Sequence, residues 1–397
     1  MNVRIEKSTA AGNIAAFPSK SAAHRALICA ALCKGKSIIR NFPVCDDTLA
    51  TLDCIKALGA EVTRSDDTVT VTGGEISSEG VFNCRESGST LRFTLAVSLL
   101  FGGGKFICDG RLARRTLGDY EKNFAKKNIS LTKSGNEITV CGRLNGGEYI
   151  LSGRESSQFA SGLLFALPTC RGDSRIIFEN APVSRPYIDM TLDMLGKFGV
   201  CAEWQGERVI TVTGGQRYAP CDIVTEGDYS SAACLYALNY FGGDVKITGL
   251  DENSRQGDKA FYSCFEKLNT GFCEIDISSF PDLAPILMAL GAAKHGVKLT
   301  GTARLREKES DRGRDMAAEL EKFGAGCDVG DDEITVSGGG ISSPKDVINP
   351  HRDHRIAMAC AVLMTICGGE IAGAECVGKS FPGFFRRLAD VGIEISL

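Results

Sequence analysis

The sequence predicts an α/β (α+β) fold of two similar domains, each assembled from three repeats. Three observations predict it. First, a phrase made of an amphipathic helix, a short turn and a β-strand ending in glycines recurs. It reads LDCIKALGAEVTRSDDTVTVTGG from Leu52, LDMLGKFGVCAEWQGERVITVTGG from Leu192 and MAAELEKFGAGCDVGDDEITVSGGG from Met316, with a looser copy, YEKNFAKKNISLTKSGNEITVCG, from Tyr120. Second, an Ala/Leu-rich helix followed by a Gly-marked turn and a short strand interleaves with that phrase and occurs six times. Third, the period is roughly 65–70 residues, longer than ordinary solenoid periods, so the 397 residues hold six units in two sets of three.

Taken in order, the Ala/Leu-rich helices read SAAHRALICAAL, STLRFTLAVSLL, SSQFASGLLFAL, YSSAACLYALNY, PDLAPILMALGA and DHRIAMACAVLM. They are apolar nearly all round, which predicts burial rather than a solvent-facing amphipath. Ser, Thr or Asp stands within the first two residues of each, and these residues cap helix N-termini. The strands that follow read GKSIIRNF, GGKFICDG, GDSRIIFEN, GGDVKITGL, GVKLTGT and GGEIAGAEC. If the buried helices of a domain run parallel, their N-termini converge at one end. Free N–H groups and partial positive charge make that end attractive to anions.

Composition narrows the classes. Hydrophobic residues make up 43% and charged residues 24%, the profile of a globular chain. No apolar run approaches the roughly 20 residues of a membrane span. The start, MNVRIEKSTA, has no apolar signal core, so a cytoplasmic location without membrane partners is expected. The 17 cysteines include no C-x-x-C pair, which predicts reduced, mostly buried thiols rather than a disulfide framework. A net charge of −4 supplies no general basic field for nucleic acid, so anions must be met by local clusters.

Such clusters stand at the helix starts. Lys20, Ser21 and Arg25 combine a point charge, a hydroxyl and a guanidinium fork. Gly88 permits close backbone approach, and Arg92 follows one turn on. Ser156, Ser157 and Gln158 offer three hydrogen-bonding side chains where one cap would suffice. Asp282 is a cap or a buried base. His351 and His354 are spaced like metal ligands, but the flanking charges and lack of nearby Cys or Glu point away from zinc. The run from Arg304 to Arg312 is as compatible with a solvated face as with a site. Singly, each also reads as a helix cap beside solvated charge. Together, Lys20, Arg25, Arg92, Lys308, Arg312, Arg355 and Lys379 would line an interdomain cleft suited to an anion-rich substrate pair.

The segment GAECVGKS, from Gly373 to Ser380, satisfies the P-loop pattern for nucleotide phosphates. Too few residues follow it for further βα units of about 30 residues each. Pro382-Gly383 would also disrupt the helix that a P-loop opens. Nucleotide binding is therefore not expected, although Lys379 remains a phosphate-binding candidate.

These motifs resemble the 5-enolpyruvylshikimate-3-phosphate synthase (3-phosphoshikimate 1-carboxyvinyltransferase) family. The resemblance spans the whole chain and rests on Pro18-Ser-Lys-Ser-Ala-Ala-His-Arg25, Glu86-Ser-Gly-Ser-Thr-Leu-Arg92, Ser156-Ser-Gln158, Ser184-Arg-Pro-Tyr187, Lys308-Glu-Ser-Asp-Arg312, Asp353-His-Arg355 and Lys379-Ser-Phe-Pro382. It implies two inside-out barrels of three βαβαββ repeats, with helices buried and the active site in the interdomain cleft. Residues 1–17 with 228–397 would form one domain, and 18–227 the other. The implied reaction transfers the enolpyruvyl group of phosphoenolpyruvate to the 5-hydroxyl of shikimate 3-phosphate.

By the same resemblance, shikimate 3-phosphate would be held by Lys20, Ser21, Arg25, Ser156, Ser157, Gln158, Ser184, Tyr187, Asp282 and Lys308. Phosphoenolpyruvate would be held by Lys20, Gly88, Arg92, Arg115, Gln158, Arg312, Arg355 and Lys379. Glu309 would exchange a proton at C3, Lys20 would shuttle protons, and Asp282 would take the hydroxyl proton; Asp47 matches a further acid near the site. No cofactor or metal and a monomeric state are implied. The chain departs from the family pattern at Glu86, where Asn is common, at Thr116, where Pro follows the arginine, at Phe17-Pro18 and at Ser87. A sister transferase acting on UDP-N-acetylglucosamine would carry Asn after the lysine and a Cys before Arg115; this chain has Ser21 and no Cys in that loop. An RNA 3′-phosphate cyclase would need a histidine-glycine signature that is absent, and a non-catalytic binding protein would not need Lys20, Asp282 and Glu309.

Overall fold

The computed structural model describes residues 1–74 and 80–396. The chain divides into two compact units, Met1–Phe17 with Gly227–Leu397, and Pro18–Glu226. Each has its own hydrophobic core.

In the Pro18–Glu226 unit the helices are α1 (Lys20–Leu32), α2 (Asp46–Ala57), α3 (Gly88–Ser98), α4 (Gly118–Ala125), α5 (Gln158–Ala166) and α6 (Arg185–Lys197). The odd-numbered ones are buried almost throughout, as their apolar sequences predict. The even-numbered ones each bury one face. Three four-stranded sheets repeat one design, a parallel pair followed by an antiparallel hairpin. Gly80–Arg85 lies parallel to Gly103–Cys108, which pairs antiparallel with Glu137–Cys141 and through it with Ser130–Ser134. Gly147–Leu151, Ser174–Phe178, Val209–Val212 and Ala202–Gln205 copy the arrangement. In the remaining sheet the parallel partner of Gly35–Arg40 comes from the far end of the unit, Ile223–Val224, which closes the repeat series.

The helices of the other unit are α7 (Tyr229–Tyr240), α8 (Phe261–Thr270), α9 (Ala284–Ala293), α10 (Arg312–Lys322), α11 (His354–Cys367) and α12 (Phe384–Asp390). The buried and amphipathic kinds alternate again. Among the described residues one of its sheets keeps the full design: Cys273–Asp276 parallel to Val297–Thr300, then Glu333–Val336 and Cys327–Val329 antiparallel. The other two borrow the N-terminal residues. Ala11–Ala15 lies parallel to Asp244–Thr248, and Asn2–Ile5 sits antiparallel between Gly369–Ala372 and Ile395–Ser396. Among the described residues these two sheets have two and three strands in place of four.

The cysteines are free thiols. No helix among the described residues is long and apolar enough to cross a membrane. GAECVGKS follows an antiparallel strand and folds into a 3-10 turn, Ala374–Lys379, ahead of the seven-residue α12. A phosphate-cradling loop needs a parallel strand and a long helix, so this geometry does not make one.

Candidate active site

In the Pro18–Glu226 unit the buried helices begin on serines. Ser19 accepts from Ala22 N–H and Ser87 from Thr90 N–H, and Ser157 precedes α5. None of the three first turns carries an acid, so their N-terminal partial charge is not neutralised by a carboxylate in that turn. Lys20 opens α1 and its ammonium lies 2.8 Å from Asp47 in the first turn of α2, both largely buried. Arg25, 3% exposed, donates to the carbonyls of Ser21 and Tyr187 and to Thr191 Oγ1 at 2.7–2.8 Å. Burial pulls its pKa down to about 10. Tyr187 therefore meets Arg25 through its backbone.

A second group centres on Gly88. A Cβ there would lie 2.8 Å from Arg115 Nη1 and 3.0 Å from Arg92 Nη1, so two guanidiniums flank a position that a side chain would crowd. Arg92 donates to Gln158 Oε1 at 2.7 Å and to the Thr116 carbonyl at 3.2 Å, while Gln158 Nε2 donates to Ser89 Oγ at 2.9 Å. The buried Nε of Arg115 finds no acceptor among the described residues, while its backbone N–H donates to the Leu112 carbonyl at 3.1 Å. Like charges this close, one without an acceptor, favour an incoming anion. Glu86 turns toward Gly110, where a Cβ would meet its Oε1 at 1.8 Å. Ser156 Oγ accepts from Gln158 N–H, and Ser184 takes a left-handed conformation (φ 56°) at the start of α6.

Behind these residues runs a buried hydroxyl chain that the sequence reading missed. His24 Nδ1 lies 2.7 Å from Thr51 Oγ1, which lies 2.7 Å from Thr90 Oγ1, and Thr90 donates to Ser87 Oγ at 2.7 Å. It ties α1, α2 and α3 together beside Lys20, Asp47 and Gly88. Burial, outweighing Asp47, pulls the His24 pKa from 6.5 to about 3, so the ring is neutral. Between those values the unfolded state binds a proton that the folded state refuses, so stability rises with pH through the window and is lost below pH 6.5. His24→Asn keeps an amide near Nδ1 but removes the titration. Its loss of stability from about pH 7 to about pH 4.5 is expected to be smaller than wild type's by roughly 2.5 kcal/mol in urea unfolding.

In the other unit the helix starts carry acids: Asp228 caps α7, Asp353 caps α11, and Asp282 stands in the turn leading into α9. Asp282 Oδ1 accepts from Lys308 at 3.0 Å and from Arg312 Nη1 at 2.7 Å, while Arg355 Nη2 lies 3.2 Å from Oδ2. Burial alone would raise its pKa; Arg355, Lys308 and Arg312 overcome this and hold the carboxyl well below its ordinary range. Burial pulls Lys308 down to about 8, against the opposing charge of Asp282. Arg312, 1% exposed, also reaches Glu309 Oε2 at 2.5 Å and grips Asp353, with Nε donating to Oδ2 at 2.8 Å and Nη2 to Oδ1 at 3.2 Å. Arg355 also bonds Ser230 Oγ, and Lys379 lies 3.9 Å from Glu309 Oε1. Asp353, fully buried and accepting four hydrogen bonds, is a site residue missing from the expected set, although its position ahead of an apolar helix was visible.

The expected phosphoenolpyruvate residues are thus divided. Lys20, Gly88, Arg92, Arg115 and Gln158 belong to one unit, and Arg312, Arg355 and Lys379 to the other. The expected proton-transfer residues Asp282 and Glu309 share the cluster around Arg312.

Known proteins share this organisation. The sequence profile of EPSP synthase (3-phosphoshikimate 1-carboxyvinyltransferase) matches residues 5–273 and 269–388. A 3-phosphoshikimate 1-carboxyvinyltransferase of Clostridium perfringens (strain 13 / Type A) is 36% identical over 420 residues, covering 98% of each chain. That of Clostridioides difficile (strain 630) is 34% identical, covering 98% of this chain and 97% of its own. The solved EPSP synthase of Acinetobacter baumannii superposes with a TM-score of 0.79 over 100% of both chains at 23% identity, a likeness of fold. With two thirds and more of its length matched at this identity, the chain belongs to the EPSP synthase (3-phosphoshikimate 1-carboxyvinyltransferase) family.

Proposed function

We propose that this protein transfers the enolpyruvyl group of phosphoenolpyruvate to the 5-hydroxyl of shikimate 3-phosphate, releasing phosphate, as a step of the shikimate pathway. It would act in the cytoplasm as a monomer without cofactor or metal. The observation that carries this reading is the convergence of Asp282 and Glu309 with Lys308, Arg312, Arg355 and Lys379. Chemistry that moves protons on a substrate bearing both phosphate and carboxylate needs acids and cations together.

In the first step the 5-oxygen bonds to C2 of phosphoenolpyruvate, its proton leaves to a base, and C3 takes a proton, giving a tetrahedral ketal. In the second step the C2–O bond to phosphate breaks while C3 returns a proton. Glu309 serves C3, Lys20 carries protons, and Asp282 takes the hydroxyl proton. A carboxylate held by three cations is a weak base. An anionic substrate that takes Arg312 and Arg355 onto its own oxygens loosens that grip and restores basicity to Asp282. Arg115, Arg92 and the Gly88 backbone receive phosphoenolpyruvate from the Pro18–Glu226 unit, with Lys20 and Gln158; Arg312, Arg355 and Lys379 receive it from the other. Ser21, Arg25, Ser156, Ser157, Gln158, Ser184, Tyr187, Lys20, Asp282 and Lys308 hold shikimate 3-phosphate. The acid-free, serine-capped helix starts suit its dianionic phosphate.

A phosphate-release assay tests the reading. Release is expected only with both substrates present. No release with shikimate 3-phosphate as acceptor overturns the proposal, and release with UDP-N-acetylglucosamine instead would assign the sister reaction.

A further inference from the structure

We infer that Glu319 and His351 are positioning residues that hold Arg312 in its phosphoenolpyruvate-binding geometry; this rests on the function proposed above. The chain enters α11 through an unusual turn. His351 (φ 52°) and Arg352 (φ 61°) both adopt left-handed conformations that side chains with a Cβ disfavour, so something must hold them there. Glu319, on α10 and 2% exposed, supplies the hold. Its Oε1 lies 2.9 Å from His351 Nε2, and its Oε2 accepts from Asn349 N–H at 3.0 Å and from Lys322 at 2.7 Å. Asn349 Oδ1 in turn accepts from His351 N–H at 3.0 Å, and Asp353 N–H donates to the Pro350 carbonyl at 2.8 Å.

The residue released by this turn is Asp353, whose two oxygens grip Arg312. Arg312 and Glu319 stand two turns apart on α10, on one face of the helix. The turn is therefore fastened to α10 at two points, through His351 to Glu319 and through Asp353 to Arg312. Losing the first fastening lets the left-handed turn relax and carries Asp353 away from the guanidinium it orients. Neither Glu319 nor His351 belongs to the expected substrate-binding set, so their influence on the substrate runs through Arg312.

The two imidazole nitrogens allow a discriminating test. His351 Nε2 faces Glu319, while Nδ1 faces Asp315 at 3.8 Å. A glutamine amide reaches the position of Nε2, and an asparagine amide only that of Nδ1. His351→Asn is expected to raise KM for phosphoenolpyruvate about tenfold, leaving kcat and KM for shikimate 3-phosphate near wild type, whereas His351→Gln stays near wild type. A readout independent of turnover is the side-chain Nε–H resonance of Arg312 in nitrogen-15 NMR. Its hydrogen exchange is expected to accelerate in His351→Asn and to remain slow in His351→Gln. If wild type shows no turnover, the proposed function fails, and the resonance alone decides the positioning role. Equal exchange rates in the two variants overturn the inference. In a turnover-competent enzyme, so does an unchanged KM in His351→Asn, or a loss that tracks melting temperature in both variants.

Discussion

Lys20→Met is expected to fold and to lose turnover by about a thousandfold, the scale of a missing proton carrier combined with a lost phosphate contact. A cation in the first turn of a helix opposes the helix dipole, so Lys20 gains nothing from α1 itself. It is held there by Asp47 at 2.8 Å. Methionine fills similar volume but removes that charge from a buried carboxylate, costing roughly 2–3 kcal/mol of stability. Adding Asp47→Asn should recover much of that stability without recovering activity, which separates folding from chemistry. Near-UV circular dichroism checks the fold and phosphate release checks the rate. Wild-type-like turnover in the folded single variant would refute the role of Lys20.

Much of the fold was legible because its signals are local. The helices FASGLLFAL and DHRIAMACAVLM are apolar nearly all round, and their burial follows directly. Of the caps, Asp353 stands where the sequence places one, whereas Ser19, Ser87 and Asp228 lie one or two residues ahead of the helix starts read from the sequence, because the apolar pattern marks a helix body more sharply than its first turn. What escaped is set by contacts distant in sequence. Thr51 and Thr90, 39 residues apart, look like ordinary helix residues, and only packing makes them links from His24 to Ser87. Asp282 read as a cap or a base, while its three cations arrive from 26, 30 and 73 residues later. The reduced sheets of the Met1–Phe17 and Gly227–Leu397 unit were hidden because glycine-flanked GGEIAGAEC reads like the other strands, yet pairs antiparallel with Asn2–Ile5.

The capping residues also differ between the units in a way that chemistry explains. At α1 and α3 serine caps satisfy N–H groups without adding charge, and Ser157 adds none ahead of α5, leaving all three starts electrostatically positive. Aspartate caps cancel that field, and in the other unit Arg312 and Arg355 restore positive charge on side chains.

Asp282→Asn is expected to lower kcat by roughly a hundred- to a thousandfold while KM for phosphoenolpyruvate falls severalfold. The two changes have one cause. In wild type the carboxylate competes with the substrate for Lys308, Arg312 and Arg355. The amide removes the proton acceptor and most of that competition at once, so binding tightens as chemistry fails. A residue that only binds substrate would behave oppositely, raising KM with kcat unchanged, and that outcome would remove Asp282 from proton transfer. Stability supplies an independent sign. Because the folded pKa lies well below 3.8, the ionised form stabilises the fold above that value and the contribution is lost as pH falls through 3.8 toward the folded pKa. At neutral pH the variant should therefore be less stable by about 2 kcal/mol, since Lys308, Arg312 and Arg355 lose a shared counter-charge. The wild-type and variant stability curves should converge on acidification, and curves that stay parallel below pH 3.8 would show that the three cations do not hold this carboxylate as the geometry requires.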